Sequence, residues 1–212
     1  MGVKKNKDIR LQVPGGETTV LLHTCCAPCS SAIIEAMMKD GITPVIYYCN
    51  PNIYPLEEYE IRKNECTRYA RSLGLEIVDA DYDHENWLDA VKGLEGEPER
   101  GGRCLRCFKI RLLRTAQYAA QRGIKVITTT LASSRWKSLD QINEAGRWAC
   151  QQIVPSDGRL GVDMVPPDGK VIWWDHNWRK NGLQERRLQI IKEYDFYNQL
   201  YCGCEFSMRK ED

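Results

Sequence analysis

Four apolar, β-rich runs separated by helical segments constrain this 212-residue chain more than any other feature. "TTVLLHT", "TPVIYYCN", "LEIVDADYD" and "GIKVITTTLASS" each read as a strand. Between and after them, "SSAIIEAMMKDG", "PLEEYEIRKNECTRYARSLG", a short stretch around Trp87–Lys92, a longer one from about Cys104 to Gln121, and "SLDQINEAGRWACQQ" read as helices. Gly41 and Gly74 close the first two, and Pro55 opens the second. Alternation of this kind predicts an α/β fold: a parallel sheet flanked by helices on both faces. Ligands of such sheets sit beyond the carboxyl ends of the strands, near the switch in strand order.

The predicted organisation is a flexible basic tail over residues 1–17, then a single α/β domain over 18–212. Residues 155–170, rich in Pro, Gly and Asp, read as a surface excursion, and the chain after Asn181 as a C-terminal helical extension. Lys+Arg 30 against Asp+Glu 29 gives a net charge of +1, so any nucleic-acid surface must be local. No apolar window of about 18 residues suggests a membrane span. The first residues lack the apolar core of a signal peptide, and Asn6 breaks the myristoylation pattern. A cytoplasmic location is expected. Ten cysteines in a reducing compartment then point to metal or redox chemistry rather than a disulfide framework.

Seven of the ten fall into three tight groups: Cys25, Cys26 and Cys29 in "CCAPC", Cys104 and Cys107 in "CLRC", and Cys202 and Cys204 in "CGC". "CCAPC" follows the first strand, at the edge where the fold places its ligands. Adjacent Cys25 and Cys26 suit one zinc ion poorly, because structural zinc takes pairs two to four residues apart. They suit neighbouring irons of a cubane, and with Cys104 and Cys107 they complete the four thiolates of a [4Fe–4S] cluster. Cys29, Cys202 and Cys204 then remain, for a second metal or a catalytic dithiol. Cys66 and Cys150 read as small buried residues, and Cys49 stays open. His23, His84 and His176 are more readily packed or capping residues than ligands. Asp79, Asp81 and Asp83 alternate after the third strand and offer acid–base candidates.

The segment 100–114 carries Arg100, Arg103, Arg106, Lys109, Arg111 and Arg114 with no acid. "SSRWKS" adds Arg135, Trp136 and Lys137, and "WRKNG" adds Arg179 and Lys180. Cations beside aromatic rings are what single-stranded RNA is held by. Arg103, Arg106, Arg111, Arg135, Trp136, Lys137, Arg179 and Lys180 are therefore the candidate RNA contacts, against the alternative of a wet helix face.

Taken together, "LLHTCCAPC", "YYCNPNIYPLEEYEIRK", "GGRCLRCFKIRLLRTAQYA", "TTTLASSRWKS" and "YCGCEFS" resemble the QueH family of epoxyqueuosine reductases, from about residue 20 to the C-terminus. The resemblance implies an oxidoreductase that converts epoxyqueuosine to queuosine at the wobble position of tRNA, the last step of queuosine synthesis. It implies a fold like the nucleotide α-hydrolase (HUP) group, with "CCAPC" where that group usually has a glycine-rich phosphate loop. It further implies a [4Fe–4S] cluster, on Cys25, Cys26, Cys104 and Cys107, and a neighbouring mononuclear iron, which zinc would replace on aerobic purification. Cys202 and Cys204 would hold that iron, and Cys29 stands in a position that some members fill with Asp. The partners implied are the tRNA carrying epoxyqueuosine and an electron donor, with no membrane. Tyr201, Tyr48 and the carboxylates around Asp81 are open alternatives for the proton source. Two other readings compete: an iron–sulfur tRNA sulfur-transfer enzyme, which would want an SGGxDS-type loop, and a zinc-stabilised RNA-binding module.

Overall fold

The computed structural model describes residues 10–153 and 170–208. Five strands, β1 (Thr19–Thr24), β2 (Thr43–Tyr48), β3 (Ile77–Asp79), β4 (Val126–Thr129) and β5 (Ile172–Trp173), form one parallel sheet in the order β3-β2-β1-β4-β5. Six helices flank it: α1 (Ala27–Lys39), α2 (Leu56–Ser72), α3 (His84–Val91), α4 (Gly102–Gln121), α5 (Leu139–Gln151) and α6 (Leu183–Glu193). The architecture is consistent with the HUP-like fold expected above.

The central strand shows why these residues choose a parallel sheet. Five of its six residues are buried, so it is covered on both faces and reads as a continuous apolar run rather than an alternating one. Val20, Leu21 and Leu22 are wholly buried within the main core. The chain steps from β1 through α1 to β2 and through α2 to β3, then returns to the other side of β1 as β4. Right-handed crossovers place the helices of these two excursions on opposite faces. Accordingly α1 packs on α2 and α6, and α4 packs on α3 and α5. The order reverses between β1 and β4, and "CCAPC" leaves the sheet at that point.

Several boundaries differ from the sequence reading. Strand β3 is only three residues long, because it lies at the sheet edge and pairs with β2 alone. "TLAS" leaves β4 as a 3-10 turn, in which the Thr129 hydroxyl accepts the Leu131 N–H. Edge strand β5 was not foreseen; two residues are too short for any periodic signal. Residues 10–17 carry a 3-10 turn at Pro14–Gly16, with Leu11 and Val13 packed against the core. Residues 1–9 of the expected tail and 154–169 of the expected excursion lie outside the described residues.

Candidate metal centre

Cys25 and Cys26 occupy the turn between β1 and α1, with Cys26 as the N-cap in extended backbone and Cys29 in the first helical turn. Helix geometry brings the cap and the first turn together, so the Sγ atoms of Cys25, Cys26 and Cys29 all lie within 4.8 Å of one another. Those of Cys25 and Cys26 are 3.9 Å apart. Thiol hydrogen bonds from Cys26 and Cys29, then the Lys137 and Arg111 charges, hold the Cys25 thiol well below its ordinary range despite burial. The same sharing pushes Cys26 up, and Cys29 up to about 12. Cys25 is thus the member of the trio whose sulfur most readily loses its proton. The Thr130 hydroxyl reaches Cys25 Sγ at 3.4 Å, and Gln199 Nε2 donates to Cys26 Sγ at 3.2 Å.

The other four thiols fall into two pairs on the α4 side, Cys107 with Cys204 and Cys104 with Cys202. Cys104 and Cys107 stand in the first turns of α4, where aligned N–H groups favour thiolate. The Arg100 N–H caps Cys104 Sγ at 3.3 Å. Cys107 and Cys204 share a small apolar cluster with Trp87, Val91 and Phe206. Burial pushes the Cys107 thiol up to about 11 and raises Cys104 and Cys204. Cys202 is exposed and faces Cys104 across a cleft that also holds Lys137 and Trp136. Arg62 pins the "CGC" segment: its guanidinium donates to the Tyr201 and Cys202 carbonyls, both at 3.2 Å, while paired with Glu58 at 2.6 Å. Gly203, at φ 136, adopts a conformation that L side chains rarely take, and its carbonyl accepts the Tyr54 N–H at 2.9 Å.

Between the two sets lies Arg111. It is 2% exposed, and its guanidinium donates to the Cys49 carbonyl at 3.3 Å, to Asn50 Oδ1, and to Cys107 Sγ at 3.9 Å. No carboxylate pairs with it among the described residues; its electrostatic partners are Cys107, Cys25 and Cys202. Lys137 likewise feels Cys202, Cys25 and Cys29, which hold its ammonium charged against the opposing effect of burial. Two cations thus face a set of soft sulfur donors. This is a setting for a thiolate-ligated metal group, whose negative charge needs compensation in a buried site.

A sequence model of the epoxyqueuosine reductase QueH family matches residues 20–210. This chain belongs to the QueH family. It is 46% identical over 200 residues to epoxyqueuosine reductase QueH of Haemophilus influenzae, covering 94% of this chain and 76% of the relative. The same enzyme of Histophilus somni gives the same identity and coverage. That of Acinetobacter baylyi is 43% identical over 201 residues, 95% of this chain and 85% of the relative.

Within this QueH chain, several expected site residues take other roles. Arg103 and Arg111 are each 2% exposed and cannot meet RNA at the surface. Arg103 instead donates to the Leu94, Glu95 and Glu97 carbonyls and lies over the Phe206 ring. Asp81 is exposed beyond edge strand β3, two strands from β1, and no described contact joins it to the thiols. Asp79 accepts from the Tyr59 hydroxyl and pairs with Lys63, while Asp83 accepts from Asn86. Tyr48 is wholly enclosed, its hydroxyl donating to the Tyr59 carbonyl. The Tyr201 hydroxyl donates to the Tyr54 carbonyl, and burial pushes its pKa up to about 12. Arg106, Arg135, Trp136 and Lys180 are exposed, as RNA contacts require, and Lys137 and Arg179 are half-buried.

Sequence reasoning missed Arg62, Gln199 and the inward role of Arg111. Arg111 had one legible signal: it stands four residues after Cys107, on the same helical face. His84, read as a loop or cap residue, stacks on Tyr54, Tyr82 and Trp87 and bridges the Pro51 carbonyl to Glu205, next to Cys204.

His23 is structural. Thr129 Oγ1 accepts from the Leu131 N–H and donates to His23 Nδ1 at 2.7 Å, so Nε2 carries the proton and donates to the Cys49 carbonyl at 3.0 Å. Burial, aided by Arg111, lowers its pKa from 6.5 to about 3. The unfolded chain therefore takes up a proton near pH 6.5 that the folded chain refuses until about 3. Stability falls as pH drops through that window, by about a few kcal/mol for this one group. Urea titrations of the reduced, metal-free chain at pH 7 and pH 4.5 should show the loss, and His23→Gln should shrink it. An equal pH dependence in the variant would refute the assignment.

Proposed function

We propose that this chain reduces epoxyqueuosine to queuosine in tRNA, using a [4Fe–4S] cluster and an adjacent iron held by its seven clustered thiols. The observation that carries the reading is the Cys25, Cys26 and Cys29 trio at the carboxyl end of β1; Cys107 beside Cys204, Cys104 and Cys202 on one cleft, and the Arg111 and Lys137 charges that act on thiols of both sets support it. The relatives named above carry the same reaction in their names.

In this reading Cys25, Cys26, Cys104 and Cys107 hold the cluster, and Cys29, Cys202 and Cys204 the separate iron. When bound, the group supplies electrons one at a time and a Lewis-acidic iron for the epoxide oxygen. Opening the epoxide to the alkene consumes two electrons and two protons and releases water. The chain's own residues bind and shield. The reading places the nucleoside at the mouth of the cleft lined by Cys104, Phe108 and Cys202. Lys137, in the same cleft, presents an ammonium group to the oxygen that gathers charge as its bonds to carbon break. Arg111 balances the charge of the ligand sulfurs from within. The electrons come from a separate donor protein in the cytoplasm. No described helix is long and apolar enough to cross a membrane.

The test is iron, zinc and acid-labile sulfide per chain after anaerobic reconstitution, with conversion of epoxyqueuosine-containing tRNA followed by mass spectrometry. About four sulfides and more irons than sulfides, with conversion, support the reading. Zinc without sulfide would leave an RNA-binding module as the better account. Cys204→Ala should abolish turnover and remove about one iron per chain while retaining most of the sulfide. Turnover surviving in that variant would sink the role given to the separate iron.

A further inference from the structure

The loop 134–138 beside the cleft is built with guanidinium groups. Arg100 Nε donates to the Trp136 carbonyl at 2.8 Å, and a second Arg100 nitrogen to the Arg135 carbonyl at 3.1 Å. Arg179 donates to the Lys137 carbonyl at 2.8 Å. Three consecutive carbonyls are thus clamped by side chains that a basic-cluster reading would assign to phosphates. The clamp is anchored to the thiols, because the Arg100 N–H caps Cys104 Sγ at 3.3 Å and Gln141 Nε2 donates to the Arg100 carbonyl at 2.8 Å. Arg100 itself holds φ 69, a left-handed conformation that a non-glycine residue adopts only where its surroundings fix it.

This rigid loop places the largest exposed aromatic ring of the described residues at the rim of the cleft. Trp136 is 67% exposed. The Arg135 guanidinium lies 5.2 Å from its ring centroid, which covers part of the ring and leaves the remainder to solvent. A flat apolar ring held in place by its backbone and backed by a cation loses little conformational freedom when it binds a second flat ring.

We propose that Trp136 is a stacking platform for an RNA base: a nucleobase next to the modified nucleoside lies on the indole while that nucleoside enters the cleft beside Cys104 and Cys202. The proposal rests on the reductase reading for the identity of the RNA. It sorts the basic residues anew: Arg100 and Arg179 build the loop, Lys137 faces the chemistry, and Trp136 with Arg135 meets the RNA. The cations on this rim favour RNA over an acidic redox protein because stacking needs an open ring as well as charge, and both are present here.

The experiment uses the full chain after anaerobic reconstitution with iron and sulfide, and a short anticodon stem-loop RNA. Trp136→Ala and Trp136→Leu should each weaken binding about tenfold, within the range of one base–aromatic stack, while Trp136→Phe stays within about threefold of wild type. Because no charge is removed, the slope of log affinity against log salt should be unchanged in Trp136→Ala. Arg135→Gln should flatten that slope by about one. Wild-type affinity in Trp136→Leu would overturn the proposal, and so would a wild-type chain that fails to bind the stem-loop. Unchanged RNA binding with a raised KM for the electron-donor protein would assign the surface to that partner instead. Failure of the reductase reading shows separately, as a chain that binds the stem-loop through Trp136 yet holds no labile sulfide.

Discussion

Arg111→Met is expected to weaken metal binding by about 10- to 100-fold while leaving the metal-free chain folded. The asymmetry follows from what the guanidinium touches. Its three hydrogen-bond partners, the Cys49 carbonyl, Asn50 Oδ1 and Cys107 Sγ, include no carboxylate. A guanidinium stays charged at any working pH, and an isolated buried charge is costly. Before metal binds, the Cys107 sulfur, and after it that of Cys25, are what favour its charge. Once several thiolates ligate a metal, the cation is fully matched, so its removal is felt mainly in the loaded state. In the metal-free chain the loss is one orphaned Asn50 acceptor, about 1–3 kcal/mol, set against relief of the buried charge. The Cys49 carbonyl keeps its bond from His23. Arg111→Lys should recover part of the affinity, since it restores charge without the planar fork that spans all three partners. Competition titrations with cobalt(II) under reducing, anaerobic conditions give the numbers. Wild-type affinity in Arg111→Met would show that the charge is compensated elsewhere.

The second large effect is on stability. A methyl group at Gly146, inside α5, would lie 2.2–2.5 Å from three atoms of the Trp173 indole. Trp173 is a rigid ring, 9% exposed, tied by Nε1 to Asn143 at 3.1 Å, and it forms half of edge strand β5. No rotation within α5 relieves the clash, so Gly146→Ala must displace the indole. Giving up a buried tryptophan costs about 3–5 kcal/mol. Alanine returns about 1 kcal/mol in helix propensity. The net is a loss of about 2–4 kcal/mol, or a Tm lower by roughly 5–15 °C for a chain of this size. The diagnostic is the second background: in Trp173→Ala, Gly146→Ala should be neutral or stabilising. An additive loss there would place the strain elsewhere.

How far these features could be read from residues depends on the range of the interaction. Strands β1 and β2 and helices α1, α2, α4 and α5 were legible, because apolar runs, helical periodicity, Pro55 and the closing glycines are local signals. The parallel sheet followed from their alternation, and the place of "CCAPC" from the rule for strand ends. The cysteine groups stood out because cysteine is scarce and their spacing is short. Helix α4 shows where this reasoning stopped. Arg103, Cys107, Arg111 and Thr115, spaced four apart, form one buried stripe, while Arg106 stays exposed on the same helix. Composition sees six basic residues in that segment and cannot say which face is wet.

Fold class, family and the set of thiols are each carried by neighbouring residues or by a pattern along the chain, and so can be read without a fold. Which thiols become neighbours, and which charges lie beside them, is set by packing between distant segments. The Cys104–Cys202 cleft and the Cys107–Cys204 cluster join segments nearly a hundred positions apart. The packed chain likewise decided the edge position of Asp81, the inward turn of Arg111, and the clamping of the Arg135–Lys137 carbonyls by Arg100 and Arg179. Burial and electrostatic pairing are properties of the packed chain: the charge of an arginine is written in its side chain, but its partner is set by what the fold places beside it.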